Sequence, residues 1–243
     1  MSSMFTNEDL TIIKKEITHH PQYIYKYVSL GGDLNDVIIQ TLLGNELYFS
    51  YRYDFDDPQE YASLICESAD DPVFKSILKP YTYDRICCFC GDDAIAPLMW
   101  IHYANCYHGF RLKFEVVKDL HIIYKIVYTN KVFHITPAKS PDDTSTFTSN
   151  REVMEMFPFI KKEKWGWQDE YRIILSGNNY FERLSGTQYV PYNQCGLKLV
   201  EITVGEYCIP ANFKELKAYS EKNRVPLYTE QVPCLTSLKY IDY

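Results

Sequence analysis

The chain has 243 residues, of which 46% are hydrophobic and 23% are charged, and its formal net charge is −7. This composition is typical of a globular protein that buries a core. The negative charge argues against a general nucleic-acid binder, which needs a basic face for the phosphates. Aromatic residues make up 16% of the chain, and 22 of them are Tyr. Because Tyr combines an apolar ring with a polar tip, this bias is typical of half-buried clefts, and the alternative explanation is a compositional bias of the source genome.

The eight cysteines are predicted to be free thiols. No apolar signal segment precedes them, so a cytoplasmic, reducing location is expected. The longest apolar stretches are too short to span a bilayer, so we expect no membrane partner. The run Cys87-Cys88-Phe89-Cys90 lacks a second pair of ligands, and alternating cysteines on a strand usually fill apolar space. We therefore expect no metal site.

Apolar periodicity and turn signals predict one domain over residues 1–243. An amphipathic helix is predicted over 6–18, and a second over 35–43 with Gly44 as its C′ residue. Further helices are predicted from Pro58, over 72–78 and over 97–106, the last with Pro97 near its first position. Strands in this half are predicted over 23–28, 47–51, 85–90, 109–116 and 121–128.

The second half begins with a loop rich in Ser, Thr and Pro near 135–148, which we expect to be mobile. A helix follows over 150–164, and its end at Lys161-Lys162-Glu163-Lys164 is expected to be solvated. Strands are predicted over 171–175, 197–204 and 225–231, and a helix over 212–222. This mixed order favours an α+β fold, with mixed or antiparallel sheets and peripheral helices, over an alternating βαβ fold.

Residues 165–172, Trp-Gly-Trp-Gln-Asp-Glu-Tyr-Arg, are the densest candidate for a functional site. In an extended segment, alternation places Gln168, Glu170 and Arg172 on one face. An amide, a carboxylate and a guanidinium beside Trp165 and Trp167 can bind a polar ligand. The alternative is a strand with an internal Glu170–Arg172 salt bridge and tryptophans in the core.

A second candidate segment covers residues 98–105 and is predicted to be a short helix. It carries Trp100, His102 and Tyr103 and is followed by a turn at Gly109. These side chains are expected to line a cleft. The alternative is a partly buried helix that packs through its aromatic rings.

Four motifs occur in order along the chain. They are Tyr25-Lys26-Tyr27; Leu47-Tyr48-Phe49-Ser50 with Phe55-Asp56-Asp57-Pro58; Met99-Trp100-Ile101-His102-Tyr103-Ala104 with His108-Gly109; and Lys161 through Trp165 to Glu170-Tyr171-Arg172. Together they resemble the bacterial domain-of-unknown-function family 2971 over about residues 23–175. Two positions depart from the family pattern: Asp56 stands where Asn is usual, and Gln168 replaces the first acid of a Glu-x-Glu pair. The family name implies no activity.

The order of these parts is also remotely similar to that of ADP-ribosyltransferases. The parallels are residues 25–27 on a first strand, residues 48–51 on a second, and Gln168-Asp169-Glu170. This similarity implies split sheets and NAD as a substrate, with no tightly bound cofactor. It also implies a protein or nucleic-acid acceptor and a role as a bacterial toxin or antiphage effector.

The same similarity implies a chemistry. Cleavage of the nicotinamide–ribose bond develops positive charge on the sugar, which Glu170 is expected to stabilise while Gln168 orients the acceptor. Ser50 is expected to hydrogen-bond Glu170, and Lys26 or Arg172 to contact the pyrophosphate. The substrate-binding set is Tyr25, Lys26, Tyr27, Tyr48, Ser50, Asp57, Trp100, His102, Tyr103, Trp165 and Arg172, beside the catalytic pair Glu170 and Gln168.

Other functions remain open. One is a sensor or regulatory module that binds a nucleotide or peptide in an aromatic cleft without reaction. Another is a metal-dependent nuclease using Asp56, Asp57 and His102, although adjacent residues point oppositely in an extended chain. The last is a structural or interaction role. Binding of NAD without turnover would favour the binding module.

Overall fold

The computed structural model describes residues 7–17, 21–31, 35–51, 64–66, 85–92, 94–118, 122–131, 133–135, 157–175 and 188–233. The helices are α1 (Asn7–Glu16), α2 (Asn35–Leu43), α3 (Ala96–Tyr103) and α4 (Pro210–Asn223), with 3₁₀ helices at Phe157–Phe159, Glu163–Gln168 and Tyr192–Cys195. The strands are β1 (Tyr23–Val28), β2 (Glu46–Tyr48), β3 (Ser50–Tyr51), β4 (Leu64–Cys66), β5 (Arg85–Cys90), β6 (Phe110–Val116), β7 (Ile123–Lys125), β8 (Val127–Tyr128), β9 (Phe133–Ile135), β10 (Ile160–Lys161), β11 (Glu170–Leu175), β12 (Tyr189–Pro191), β13 (Leu197–Gly205) and β14 (Leu227–Glu230).

One eight-stranded sheet organises the described elements. Its order is β14-β13-β6-β1-β5-β11-β7, and β3 also pairs with β5. The pairing is antiparallel except between β13 and β14. Three two-stranded ladders, β10–β8, β12–β2 and β4–β9, lie outside it. The mixed helix and strand content confirms the predicted α+β class.

The sheet has a weak line between β1 and β5, which we call the seam. β1 pairs with β6 through six residue pairs, and β5 pairs with β11 through six. Among the described residues, Tyr25 and Cys90 form the one register pair that joins β1 to β5. This pair still connects both halves, so the described strands do not match the finer expectation of separate, ADP-ribosyltransferase-like split sheets.

The rear face of the sheet, defined by Ile24, Phe89 and Ile173, holds the main core. Side chains of α2 and α4, including Ile39 and Leu216, pack into the same cluster. β-Branched and aromatic residues fill this face because they pack well on a pleated surface. Helices α2 and α4 therefore cover one side of the sheet.

The front face, defined by Tyr25, Cys90 and Glu170, is covered by α1 and α3. Ile13 of helix α1 and Ile17, which directly follows the helix, pack on the half of the sheet that contains β5 and β11. Helix α3 packs Trp100 edge-on against Tyr27 of β1, with ring centroids 5.2 Å apart. The two helices therefore leave the seam between them.

Most element positions were correctly predicted, and several boundaries were wrong. The strands at 23–28 and 85–90 and the helix at 35–43 match the structure, and α1 lies within the predicted 6–18. The left-handed residue after α2 is Asn45 (φ 69°) and not Gly44. Helix α3 ends at Tyr103, three residues early, because residues 105–107 all have positive φ.

The helix predicted over 150–164 is wrong where the structure describes it. Residues 157–168 form two short 3₁₀ helices around β10. Pro158 lacks the N–H donor that a helix interior needs, so an α-helix is disfavoured here. The helices predicted from Pro58 and over 72–78 lie outside the described residues, as does the loop near 135–148 beyond residue 135.

None of the described helices combines the length and apolar character required to cross a membrane.

Candidate functional site

A cavity of about 310 Å³ lies on the front face at the seam. Its lining consists of residues 25–27 of β1, residues 88–90 of β5, Met99 and Tyr103 of α3, and Lys161, Trp165, Gln168 and Glu170. The strands diverge at this position, and the 3₁₀ helix Glu163–Gln168 and α3 form the walls. The two segments singled out from the sequence therefore meet at one cavity.

Glu170 lies in the cavity wall as a buried, doubly paired carboxylate. Its Oε2 accepts a hydrogen bond from Lys161 Nζ at 2.6 Å, and its Oε1 accepts one from Arg172 Nε at 2.6 Å. Its backbone N–H donates to the Tyr128 hydroxyl at 2.8 Å. Burial alone would raise the pKa of Glu170, but the charges of Arg172 and Lys161 outweigh it and lower the pKa to about 2. The carboxylate is therefore ionised at neutral pH.

Arg172 lies behind Glu170 and outside the cavity lining. Its side chain is 2% exposed, and its Nη1 donates to the Pro158 carbonyl at 2.8 Å. An arginine in this position supports Glu170 and does not reach a ligand in the cavity. The expected contact of Arg172 with a pyrophosphate is therefore not compatible with the structure, whereas the alternative Glu170–Arg172 salt bridge is present.

Lys161 is a site residue that the sequence analysis missed. It was predicted to end a solvated helix, but its side chain is only 11% exposed and lies in the cavity wall. The signal that could have revealed it is the apolar run Phe157-Pro158-Phe159-Ile160, which places the following lysine at the edge of the core.

Gln168 joins this charged group to α3. Its Oε1 accepts a hydrogen bond from Lys161 Nζ at 3.1 Å, and its Nε2 donates to the Tyr103 hydroxyl at 2.5 Å. Gln168 belongs to a 3₁₀ helix, so the alternation predicted for an extended segment holds for Glu170 and Arg172 but not for Gln168. Tyr103, which was predicted to line a cleft, does line the cavity.

Asp169 fixes the turn between Gln168 and Glu170. It adopts a left-handed conformation with φ 42°. Its backbone carbonyl accepts the Gly91 N–H at 2.8 Å, and its carboxylate pairs with Lys125 Nζ at 3.3 Å. A Cβ atom on Gly91 would collide with the Asp169 carboxylate. Glycine at 91 therefore permits the close approach that positions Gln168 and Glu170.

Lys26 occupies the seam. Alternation directs its side chain away from Tyr25 and Tyr27, and its Nζ donates to the Cys88 carbonyl at 3.2 Å. The ammonium also lies 5.4 Å from the centre of the Phe89 ring. Among the described residues, no carboxylate lies within ion-pairing distance of Lys26. The described partners of this cation are therefore a neutral carbonyl, an aromatic ring and the Cys87 thiol.

Tyr25 and Tyr27 form the opposite wall of the cavity. The Tyr25 hydroxyl donates to Asp92 Oδ1 at 2.6 Å, and the Arg111 guanidinium lies 5.2 Å from the Tyr25 ring centre. Burial raises the pKa of Tyr25, and burial raises that of Tyr27 to about 12. Both hydroxyls therefore remain protonated and can donate hydrogen bonds.

Trp165 contributes its ring to the lining. Its Nε1 is buried, and it has no hydrogen-bond partner within the described part of the chain. Buried polar groups without partners are uncommon in folded proteins.

Two other predicted site residues on α3 do not line the cavity. Trp100 is fully buried and stacks on Tyr107, with centroids 5.3 Å apart and planes 10° apart. His102 is exposed and lies 5.4 Å from the Trp167 ring. Trp100 therefore belongs to a packed aromatic cluster, as in the alternative considered for this helix.

The predicted site residues of the second motif lie apart from Glu170. Ser50 pairs with Ile86, four residues along β5 from Cys90, the partner of Glu170. At about 3.3 Å per residue the two positions are about 13 Å apart, so the expected Ser50–Glu170 hydrogen bond is not formed. Tyr48 is 41% exposed and lies 5.3 Å from Tyr189. Asp57 and Asp56 lie outside the described residues.

The cysteines of β5 divide between the two faces of the sheet. Cys88 and Cys90 line the cavity, while Cys87 belongs to the rear core. Burial raises the pKa of all three thiols, that of Cys90 to about 12. They are therefore neutral at physiological pH. Within the described ranges, no three His, Cys, Asp or Glu side chains converge as a metal site would require.

Comparison of the chain with protein-family models, with curated proteins and with solved structures finds no match. The resemblance to family 2971 therefore stays a prediction that rests on the four motifs.

Proposed function

We infer that this protein binds a small anionic ligand with a planar ring, of the nucleotide class, in the cavity at the seam. The binding-module alternative is thereby favoured. The observation that carries this proposal is the charge of the lining: Lys26 and Lys161 belong to it, while its one carboxylate among the described residues, Glu170, is shared between Lys161 and Arg172. The two lining lysines therefore outnumber the described lining carboxylate.

The charge balance favours an anion for a physical reason. A charge that is removed from water needs a partner of opposite sign, and the partners of Lys26 among the described residues are a carbonyl, an aromatic ring and the neutral Cys87 thiol. A phosphate placed about 4 Å from an ammonium gains about 4 kcal/mol at the effective dielectric constant near a protein surface.

The shape of the cavity supports a planar ligand. Tyr25, Tyr27, Tyr103 and Trp165 present rings to it, and rings stack on nucleobases. Its volume of about 310 Å³ lies at the lower end of small-molecule sites. A single nucleotide suits this volume better than a dinucleotide does.

Calorimetric titration with AMP and with adenosine tests the proposal. We expect AMP to bind at least about 10-fold more tightly than adenosine, since the phosphate supplies the charge interaction. Lys26→Met should abolish this difference. Lys198→Met is the matched control, because Lys198 is 66% exposed and does not line the cavity. Equal affinity for AMP and adenosine, or no binding of AMP at millimolar concentration, would contradict the proposal.

A second candidate is the NAD-consuming enzyme, an ADP-ribosyltransferase or NAD glycohydrolase acting as a bacterial toxin or antiphage effector with a protein or nucleic-acid acceptor. The observation that favours it is the ionised Glu170 carboxylate in the cavity wall beside Gln168. Such a carboxylate can stabilise the positive charge that develops on ribose. The two cations paired with Glu170 weaken this effect, which is why we place this candidate second.

Release of nicotinamide from NAD separates the two candidates. The enzyme is expected to release free nicotinamide, and Glu170→Gln is expected to stop it while circular dichroism shows a folded chain. The assay runs over hours with cell extract added as a source of acceptor. If AMP binds and no nicotinamide is released, the enzyme is ruled out and the binding module is the one candidate that remains.

A further inference from the structure

A second hollow lies on the opposite side of the seam. It measures about 290 Å³ and lies between the end of β1 and helix α2, with Ile38, Thr41, Leu42 and Tyr48 in its lining. Tyr48, which was predicted to bind substrate, therefore lies at this rear hollow and not at the front cavity. Apart from Lys26, its lining carries no charged side chain.

The two hollows share part of their walls. Lys26 and Tyr27 line both of them. Beyond the pair Tyr25–Cys90, β1 and β5 have no register pair among the described residues. Beside the shared residues Lys26 and Tyr27, no described register pair between β1 and β5 closes the sheet between the hollows.

We propose that the ligand has two planar heads joined by a phosphate linker, with one head in the front cavity, the linker at Lys26 and the second head in the rear hollow. This assignment rests on the proposed function and specifies its ligand class. The Lys26 ammonium now donates to the neutral Cys88 carbonyl, and an anionic oxygen is a stronger acceptor.

The rear hollow suits the second head. Ile38 and Leu42 supply an apolar wall, and Tyr48 supplies a ring. The hydroxyl of Thr41 can hydrogen-bond the polar edge of a base. Each hollow has the volume of a small-ligand site, so linking two heads raises affinity by effective concentration without any new type of contact.

Binding of AMP, ADP and diadenosine pyrophosphate tests the assignment. ADP carries the second phosphate without the second head. We expect diadenosine pyrophosphate to bind at least about 10-fold more tightly than ADP. Thr41→Trp fills the rear hollow and should remove this gain while AMP affinity stays within about twofold. Thr229→Trp, on the exposed part of β14, is the matched control.

Tyr48→Ala provides a second variant, because the side chain is 41% exposed and its loss is compatible with folding. It should reduce the gain of the dinucleotide over ADP, whereas Tyr228→Ala, at a 56% exposed position of β14, should not. If AMP binds and the dinucleotide shows no gain, or if the gain survives Thr41→Trp, the rear site is wrong and the proposed function stands. If none of the three ligands binds, both fail.

Discussion

Lys161 Nζ and Glu170 Oε2 lie 2.6 Å apart, although the two residues are separated by a 3₁₀ helix and a left-handed turn. Arg172 Nε contacts the other carboxylate oxygen at the same distance. One buried carboxylate thus forms ion pairs with two cations, Lys161 and Arg172. Four consequences of this arrangement and its surroundings are open to measurement.

Glu170→Gln should destabilise the protein by about 3–5 kcal/mol, because it removes the buried carboxylate that Lys161 and Arg172 share. Urea unfolding measures the change. The double variant Glu170→Gln, Lys161→Met should lose less free energy of unfolding than the sum of the two single variants. The reason is that one of the cations that Glu170 pairs with is removed together with the carboxylate. Glu115→Gln is the control: its partner Lys198 is 66% exposed and 3.9 Å away, so we expect at most about 1 kcal/mol.

Stability should fall in acid through Glu170. Its pKa is about 2 in the folded protein against an ordinary value of 4.5, because Arg172 and Lys161 outweigh the effect of burial. A lowered folded-state pKa adds stability that is complete above the unfolded-state value and is lost as the pH falls through the folded-state value. The melting temperature of the wild type should therefore drop between about pH 4.5 and pH 2. A Glu170→Gln variant that shows the same drop over this range would rule out Glu170 as its source.

Gly91→Ala should lower the free energy of unfolding by about 2 kcal/mol or more and weaken ligand binding. The new methyl group collides with the Asp169 carboxylate and forces the turn that carries Gln168 and Glu170 to move. Gly166→Ala is a matched control near the same cavity, because its Cβ would meet only the Tyr128 ring at an ordinary 3.8 Å. Urea unfolding and AMP titration measure both effects. An equal loss of stability in the two variants would show that crowding at Asp169 is not the cause of the loss at position 91.

Thiol labelling should follow burial. Cys106 is exposed, whereas Cys87 and Cys195 are buried and burial raises the pKa of their thiols. Under native conditions at pH 8, iodoacetamide should modify Cys106 well before the other two, since the thiolate is the reactive form. Peptide mapping by mass spectrometry gives the order. Prompt labelling of Cys87 in the folded protein would show that the rear core is open.

The sequence revealed the parts of the site that depend on local periodicity. The β-branched and aromatic runs at 23–28 and 85–90 identify strands, and the two-residue period places Glu170 and Arg172 on one face. The Trp165 and Tyr103 segments were both singled out from the sequence, and both residues line the cavity. These features can be predicted from residues that lie close together in the sequence.

The remaining parts depend on contacts that local patterns do not encode. Lys161 reaches Glu170 because Asp169 adopts a positive φ, and no local feature of the sequence predicts that conformation. The place of Ser50 follows from its register with Ile86, and the place of Lys26 follows from the divergence of β1 and β5. Register between distant strands is a tertiary property, so the expected Ser50–Glu170 hydrogen bond could not be checked from the sequence.

The seam also sets where the molecule can flex. Six residue pairs hold β1 to β6 and six hold β5 to β11, but a single register pair joins the two halves in the part of the sheet that the structure describes. Bending is easiest where the fewest hydrogen bonds resist it, so a relative movement of the two halves would centre on Tyr25 and Cys90. Such a movement would widen or narrow the mouth of the cavity while the hydrophobic interior of each half stays intact.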